Sequence, residues 1–202
     1  MSRPKIAIID YGVGNLRSIT GALLKGNGEP HIVKGVERGD GYAGIILPGV
    51  GAFRSAMANI DPEPLLERVE EGIPVFGICL GLQILFSSSE EGGGLIPGLG
   101  ILKGRVTRIP HAAKLPHIGW NTLSVVRKTP LLEGISDNAF FYFVHSYACL
   151  SVDSDCCSAI SFYGERFISV ASKGQVYGTQ FHPEKSGAEG LRILSNFVRM
   201  AR

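Results

Sequence analysis

The sequence predicts an α/β fold built on a mixed sheet, and three observations carry that reading. Short apolar β-rich runs, Lys5–Asp10, Ala43–Leu47 and Pro74–Ile78, each close on a Gly-bearing turn and lead into a helix-compatible segment, the rhythm of parallel strands covered on both faces. From Ile101 to Gln180 the chain turns strand-rich, with Phe140–Val144, Phe167–Ala171 and an alternating stretch from Gln175 to Phe181, so antiparallel strands follow the parallel ones. A last amphipathic segment, Ala188–Met200, sets Leu191, Leu194, Phe197 and Val198 on one face at helical spacing.

The remaining elements follow in order. Asn15–Lys25, Glu63–Glu71 and Leu80–Ser87 read as helices, His31 sits in a short strand, and GGGLIPGLG after Glu91 is a turn-rich break between the two halves. At 202 residues, with 45% hydrophobic and 19% charged, residues 1–202 read as one domain with enough apolar surface for a sizeable core. The net charge of +2 arises from scattered residues without a basic stripe, which argues against nucleic acid as a partner. The start of the chain lacks the pattern of a signal peptide and no apolar stretch approaches a membrane span. Cys79, Cys149, Cys156 and Cys157 lack paired zinc spacings; we read free thiols, a cytoplasmic setting and no metal.

Chemistry concentrates at two segments. Gly77-Ile-Cys79-Leu-Gly81 has the G-x-Nuc-x-G form of a nucleophile elbow, a sharp strand-to-helix turn that small neighbours allow. A cysteine there meets the first N–H groups of a helix, which favour thiolate and can hold an oxyanion. His182-Pro-Glu184 follows the late strand and brings an imidazole and a carboxylate to the edge of the sheet where α/β catalytic groups gather; such a pair supplies a base and the group that orients it. Taken singly, Cys79 also reads as a small buried residue and His182 as a satisfied turn histidine. His31, His111 and His117 read as structural, while His145 in FVHSY stays open as a substrate contact.

Together, Gly77-Ile-Cys-Leu-Gly-Leu-Gln83 and Thr179-Gln-Phe-His-Pro-Glu-Lys185 resemble the signature segments of class I (triad) glutamine amidotransferases. The resemblance implies a flavodoxin-like fold, a central mixed and mainly parallel sheet flanked by helices, and a triad of Cys79, His182 and Glu184. It implies no cofactor. Asp10-Tyr-Gly-Val-Gly-Asn15, Leu47-Pro-Gly-Val-Gly-Ala-Phe53, Pro116-His-Ile-Gly-Trp-Asn121 and Phe141-Tyr-Phe-Val-His-Ser-Tyr147 are similar to members that act as glutaminase subunits. Such subunits pass ammonia, as one half of a heterodimer, to a separate (β/α)8-barrel cyclase/synthase. On that resemblance the oxyanion hole combines backbone N–H of Leu80 with that of Val50 or Gly51. Gly49, Gln83, Glu91, Ser146 and Tyr147 contact L-glutamine, and Trp120 and Lys185 face the partner. A core tryptophan and a solvated lysine are the plainer readings of those two.

Overall fold

The computed structural model describes residues 3–12 and 14–202, so Met1, Ser2 and, within the Asp10–Asn15 segment, Val13 lie outside the described residues. Strands β1 (Lys5–Ile9), β2 (Glu29–Val33), β3 (Gly44–Leu47) and β4 (Val75–Ile78) pair side by side in parallel in the order β2-β1-β3-β4. Helices α1 (Leu16–Lys25), α2 (Phe53–Asn59), α3 (Pro62–Glu70) and α4 (Leu80–Leu85) follow them, and α5 (Gly187–Met200) ends the chain. The β-rich half adds β5 (Phe86–Ser89), β6 (Ile96–Pro97), β7 (Leu102–Arg108), β8 (His117–Thr122), β9 (Ser124–Val125), β10 (Phe140–His145), β11 (Tyr147–Cys149), β12 (Cys157–Tyr163), β13 (Glu165–Lys173) and β14 (Val176–Thr179).

The main sheet runs β2-β1-β3-β4-β14-β13-β12-β9, parallel as far as β14 and antiparallel beyond it, so the expected mixed sheet flanked by helices is present. Period-2 alternation divides its side chains between two cores. Ile6, Ile8, Ile46, Phe76 and Ile78 pack with Ile19 and Leu23 of α1 and with Ile193, Leu194, Phe197 and Val198 of α5. Ala7, Ile9, Ile45, Leu47 and Val75 pack on the other face with Phe53, Leu65, Leu80 and Leu82. Burial of each large apolar side chain is worth roughly 1.5–3 kcal/mol, which is what holds the short helices on the sheet. Among the described residues no helix is long and apolar enough to cross a membrane.

The structure departs from the sequence reading in several places. The later strands do not all join one sheet: β11-β7-β5-β6 form a second sheet, and β10-β8 a separate ribbon. The helix expected over Leu80–Ser87 stops at Leu85, because Phe86 turns extended (φ −73, ψ 170) and pairs with Leu102 of β7; tertiary pairing overrides local propensity. The last strand ends at Thr179 rather than Phe181, where the Thr179 hydroxyl donates to the Phe181 carbonyl at 3.0 Å and bends the chain. Helix α2 is an addition. Ala52 before it offers no capping side chain, and the cap comes instead from Glu91, whose carboxylate accepts from the Phe53 N–H at 2.9 Å.

Candidate active site

The strand β4 delivers Cys79 to the carboxyl edge of the parallel strands, beside the end of β14, where Thr179 is in register with Ile78. Cys79 has φ +53 and ψ −103, a conformation that costs a side-chain-bearing residue about 1–3 kcal/mol. The surroundings enforce it. The Cys79 N–H donates to the Thr179 carbonyl at 2.7 Å, and both flanking glycines are in backbone contact: a Cβ on Gly81 would lie 1.8 Å from the Leu47 oxygen, and one on Gly77 2.5 Å from the Gly81 carbonyl. Leu80, Gly81 and Leu82 begin α4 directly after Cys79, and the first N–H groups of a helix have no partner within it. The Cys79 sulfur lies 3.7 Å from the Val144 carbonyl and 3.6 Å from the Gln180 side-chain nitrogen.

His182 meets this turn from the other side. Its Nδ1 lies 2.9 Å from a Glu184 carboxylate oxygen, and both side chains are almost wholly buried, at 2% and 1% exposure. A carboxylate can only accept, so the proton sits on Nδ1 and Nε2 is left for Cys79. Nε2 is without a hydrogen-bond partner of normal geometry among the described residues. Burial pulls the imidazole pKa down, but contacts with the Cys79 sulfur and with Glu184 outweigh it and raise the value from 6.5 to about 10. The imidazole is therefore disposed to hold a proton between the Cys79 sulfur and the Glu184 carboxylate. The loop is anchored by Ser186, whose hydroxyl donates to the His182 carbonyl at 2.7 Å and accepts from the Tyr142 N–H at 3.0 Å.

A cavity of about 260 Å³ opens over the sulfur, lined by Val50, Gly51, Cys79, Leu80, Gln83, Glu91, Pro116, Val144, His145, Ser146 and Tyr147. A larger depression of about 670 Å³ around Val125, Lys128 and Leu132 holds none of the residues singled out from the sequence; Cys79 lines the smaller one, with Gln83, Glu91, Ser146 and Tyr147. Gly49 lies behind its wall, where a Cβ would come within 2.6 Å of the Leu80 Cβ. The Pro48–Gly51 loop thus packs directly on the nucleophile turn, and the Tyr11 hydroxyl holds it through the Pro48 carbonyl. Gln83, on the cavity wall, gives its amide nitrogen to the Tyr147 carbonyl at 2.8 Å and to Gln180 Oε1 at 3.2 Å.

Trp120 and Lys185 come together on the outer face of the ribbon. Trp120 is 55% exposed and packs edge-on against Tyr142 at 5.9 Å, while the Lys185 ammonium stands 6.0 Å over the same ring. The register pairs Ile118 with Val144 and Trp120 with Tyr142, so an open apolar stripe runs to the rim of the cavity. Gln180, Ser186 and Tyr11 leave no local signal in the sequence, because their parts depend on partners far along the chain.

A cysteine at the start of a helix, beside a carboxylate-oriented imidazole and on the wall of a small cavity, can attack an acyl carbon and return a proton to the leaving group. The chain is similar to known proteins over most of its length. The profile of the family Glutamine amidotransferase class-I matches residues 7–201. "Imidazole glycerol phosphate synthase subunit HisH" of Methanocaldococcus jannaschii is 49% identical over 204 residues, covering 96% of this chain and 99% of that protein. The protein of the same description from Halobacterium salinarum is also 49% identical, over 96% of this chain and 92% of its own length. Among solved structures, that of PurLQS from Thermotoga maritima superposes with a TM-score of 0.79 at 20% identity, covering 99% of this chain and 100% of that one, a likeness of fold. By sequence over nearly its whole length, and by the fold that carries Cys79, His182 and Glu184, the chain belongs to the class-I glutamine amidotransferase family.

Proposed function

We propose that this chain is the glutaminase subunit of imidazole glycerol phosphate synthase: it hydrolyses L-glutamine to L-glutamate and ammonia. The observation that carries the reading is an elbow cysteine on the wall of a small cavity, in contact with a buried, carboxylate-oriented histidine. The thiolate of Cys79 attacks the side-chain amide carbon of glutamine, and the C–O bond's electron pair moves onto oxygen. Backbone N–H of Leu80 and of Val50 or Gly51 receive that oxyanion, each such donor being worth about a hundred- to a thousandfold in rate. The tetrahedral centre collapses to a γ-glutamyl thioester, and His182 protonates the departing ammonia. His182 then takes a proton from water, which attacks the thioester and releases glutamate and the thiolate. Glu184 keeps the imidazole in the tautomer that presents Nε2 to the sulfur. Gln83, Glu91, Ser146 and Tyr147 hold the amino-acid end of the substrate, with Gly49 supporting the wall behind Leu80.

Residues 1–202 form one amidotransferase domain, and the enzyme works in the cytoplasm, a reading supported by its four free cysteines. Ammonia passes to a (β/α)8-barrel cyclase/synthase subunit, which makes imidazole glycerol phosphate and AICAR in histidine biosynthesis. The apolar stripe of Ile118, Trp120 and Tyr142, with Lys185 beside it, supports docking of that subunit at the rim of the cavity. The test is synthesis by the two-subunit complex carrying Cys79→Ala. Loss of glutamine-dependent synthesis with ammonium-dependent synthesis nearly intact is expected, because the nucleophile and the ammonia-consuming site lie on different chains. Equal loss with both nitrogen sources would overturn the reading.

A further inference from the structure

Two buried histidines stand in contact beside the cavity and take no part in the thioester chemistry. His117 on β8 and His145 at the end of β10 are register partners in the ribbon, and Nδ1 of His117 lies 3.0 Å from Nε2 of His145. The direction of each hydrogen bond follows from chemistry. Nδ1 of His145 lies 3.0 Å from the Tyr147 carbonyl; a carbonyl only accepts, so this nitrogen carries the proton. In a neutral ring Nε2 then offers a lone pair, and Nδ1 of His117 must donate to it. That leaves Nε2 of His117 an acceptor, facing the Asn121 amide nitrogen at 3.4 Å. The orientation of that amide is itself fixed, because its nitrogen donates to the Phe162 carbonyl at 3.0 Å and its oxygen accepts from the Thr122 N–H at 2.8 Å.

The series ends on a shared acceptor. The Tyr147 carbonyl, on the wall of the cavity, also receives the Gln83 amide nitrogen at 2.8 Å, and the same nitrogen reaches Gln180 Oε1 at 3.2 Å. With its oxygen so occupied, Gln180 turns its own nitrogen to the Cys79 sulfur at 3.6 Å. One carbonyl thus anchors both a wall of the cavity and the side chain that donates to the nucleophile.

We propose that His117 and His145 are positioning residues, a neutral pair with both protons on Nδ1 that fixes the Tyr147 carbonyl and, through Gln83 and Gln180, the donor to Cys79. The proposal rests on the glutaminase reading. Burial keeps both rings uncharged at physiological pH, lowering the pKa of His117 to about 4 and that of His145 to about 3. Packing alone does not ask for an imidazole here. His117 is stacked between Tyr163 at 3.9 Å and Phe143 at 5.1 Å, a slot that an aromatic hydrocarbon fills without the cost of desolvating two ring nitrogens.

Two variants separate the roles when studied in the complex with the synthase subunit. His117→Phe keeps the aromatic stack and removes the donor, whereas His117→Asn keeps an N–H donor near the Nδ1 position and removes the ring. For a lost hydrogen bond that leaves a buried acceptor empty, the KM for glutamine in His117→Phe should rise about tenfold with kcat within about threefold of wild type, and His117→Asn should recover to within about threefold. A purely space-filling histidine gives the reverse order, and that order, or an unchanged KM in His117→Phe, would overturn the proposal. Nitrogen-15 NMR of the full wild-type chain tests it without any variant. Nδ1–H tautomers at both His117 and His145 are expected, and an Nε2–H tautomer at either overturns the proposal even if the variants fail to fold. Absence of glutamine hydrolysis by the wild-type complex would bring down the glutaminase reading and the proposal with it, whereas the other adverse results bring down the proposal alone.

Discussion

Gly77 lies in β4 directly beneath the first turn of the helix that Cys79 begins. A methyl group there would meet the Gly81 carbonyl carbon and oxygen at 2.5 Å and the Leu82 nitrogen at 2.6 Å, where ordinary contact starts at 3.4 Å. These are backbone atoms, so no side chain can swing aside; strand and helix must part by about 0.9 Å, the difference between 3.4 and 2.5. Overpacking of this kind costs about 1–3 kcal/mol in stability. Its kinetic effect is larger, since a displacement of about 1 Å at a reacting group costs roughly a hundredfold in rate. Gly77→Ala should therefore lower kcat/KM for glutamine by about two orders of magnitude in the assembled synthase, while synthesis from ammonium salts in the same preparation stays near wild type. The ammonium control separates a displaced nucleophile from an unfolded subunit. Wild-type turnover of glutamine by Gly77→Ala would refute the claim that close backbone packing is what places Cys79.

Three further outcomes are expected. Glu184→Gln keeps an acceptor for Nδ1 but loses the charge that strengthens the bond, a difference of about 1 kcal/mol or roughly fivefold in rate; His182→Ala removes the general acid and base, worth about a hundred- to ten-thousandfold. Single-turnover glutamine hydrolysis measures both, and equal losses would give Glu184 a part beyond orientation. Trp120→Ala should weaken binding of the synthase subunit about thirtyfold, the cost of a buried aromatic anchor, as read by titration calorimetry; an unchanged Kd would place the interface elsewhere. The raised pKa of His182 bears on stability as well. A histidine with folded pKa about 10 against 6.5 unfolded contributes stability that is fully present below pH 6.5 and lost as pH climbs toward 10. Denaturant melts of wild type and His182→Asn across that window should converge with rising pH, and a constant gap would contradict the ion-pair assignment.

The parallel half of the fold was legible because strands covered on both faces are written as unbroken apolar runs, as KIAII, GIIL and VFGI are here. The nucleophile turn was legible for a similarly local reason, since Gly77 and Gly81 announce the backbone contacts that force Cys79 to positive φ. His182 and Glu184 are neighbours in sequence, so their hydrogen bond could be read from spacing. What stayed hidden is non-local. The cap of α2 comes from Glu91, and Phe86 leaves its helix to pair with Leu102. His117, taken as structural, reaches His145, and Gln180 reaches both Gln83 and Cys79 across the site. None of these has a period or a motif, because each is decided only when the sheets assemble. Trp120 stands out by resemblance alone, and its exposure on β8, opposite Tyr142 of the paired strand β10, gives that choice a physical basis.

The identity of the nucleophile is tested most directly by titrating the synthase complex with a glutamine-like alkylating agent and locating the label by peptide mass spectrometry. One equivalent at Cys79, with glutamine-dependent synthesis lost in proportion and ammonium-dependent synthesis retained, is the result expected, since Cys79 lines the cavity and the other three thiols, Cys149, Cys156 and Cys157, are buried away from it. Full loss of glutamine-dependent synthesis with Cys79 unlabelled, or stoichiometric labelling of Cys79 that leaves it untouched, would contradict the account.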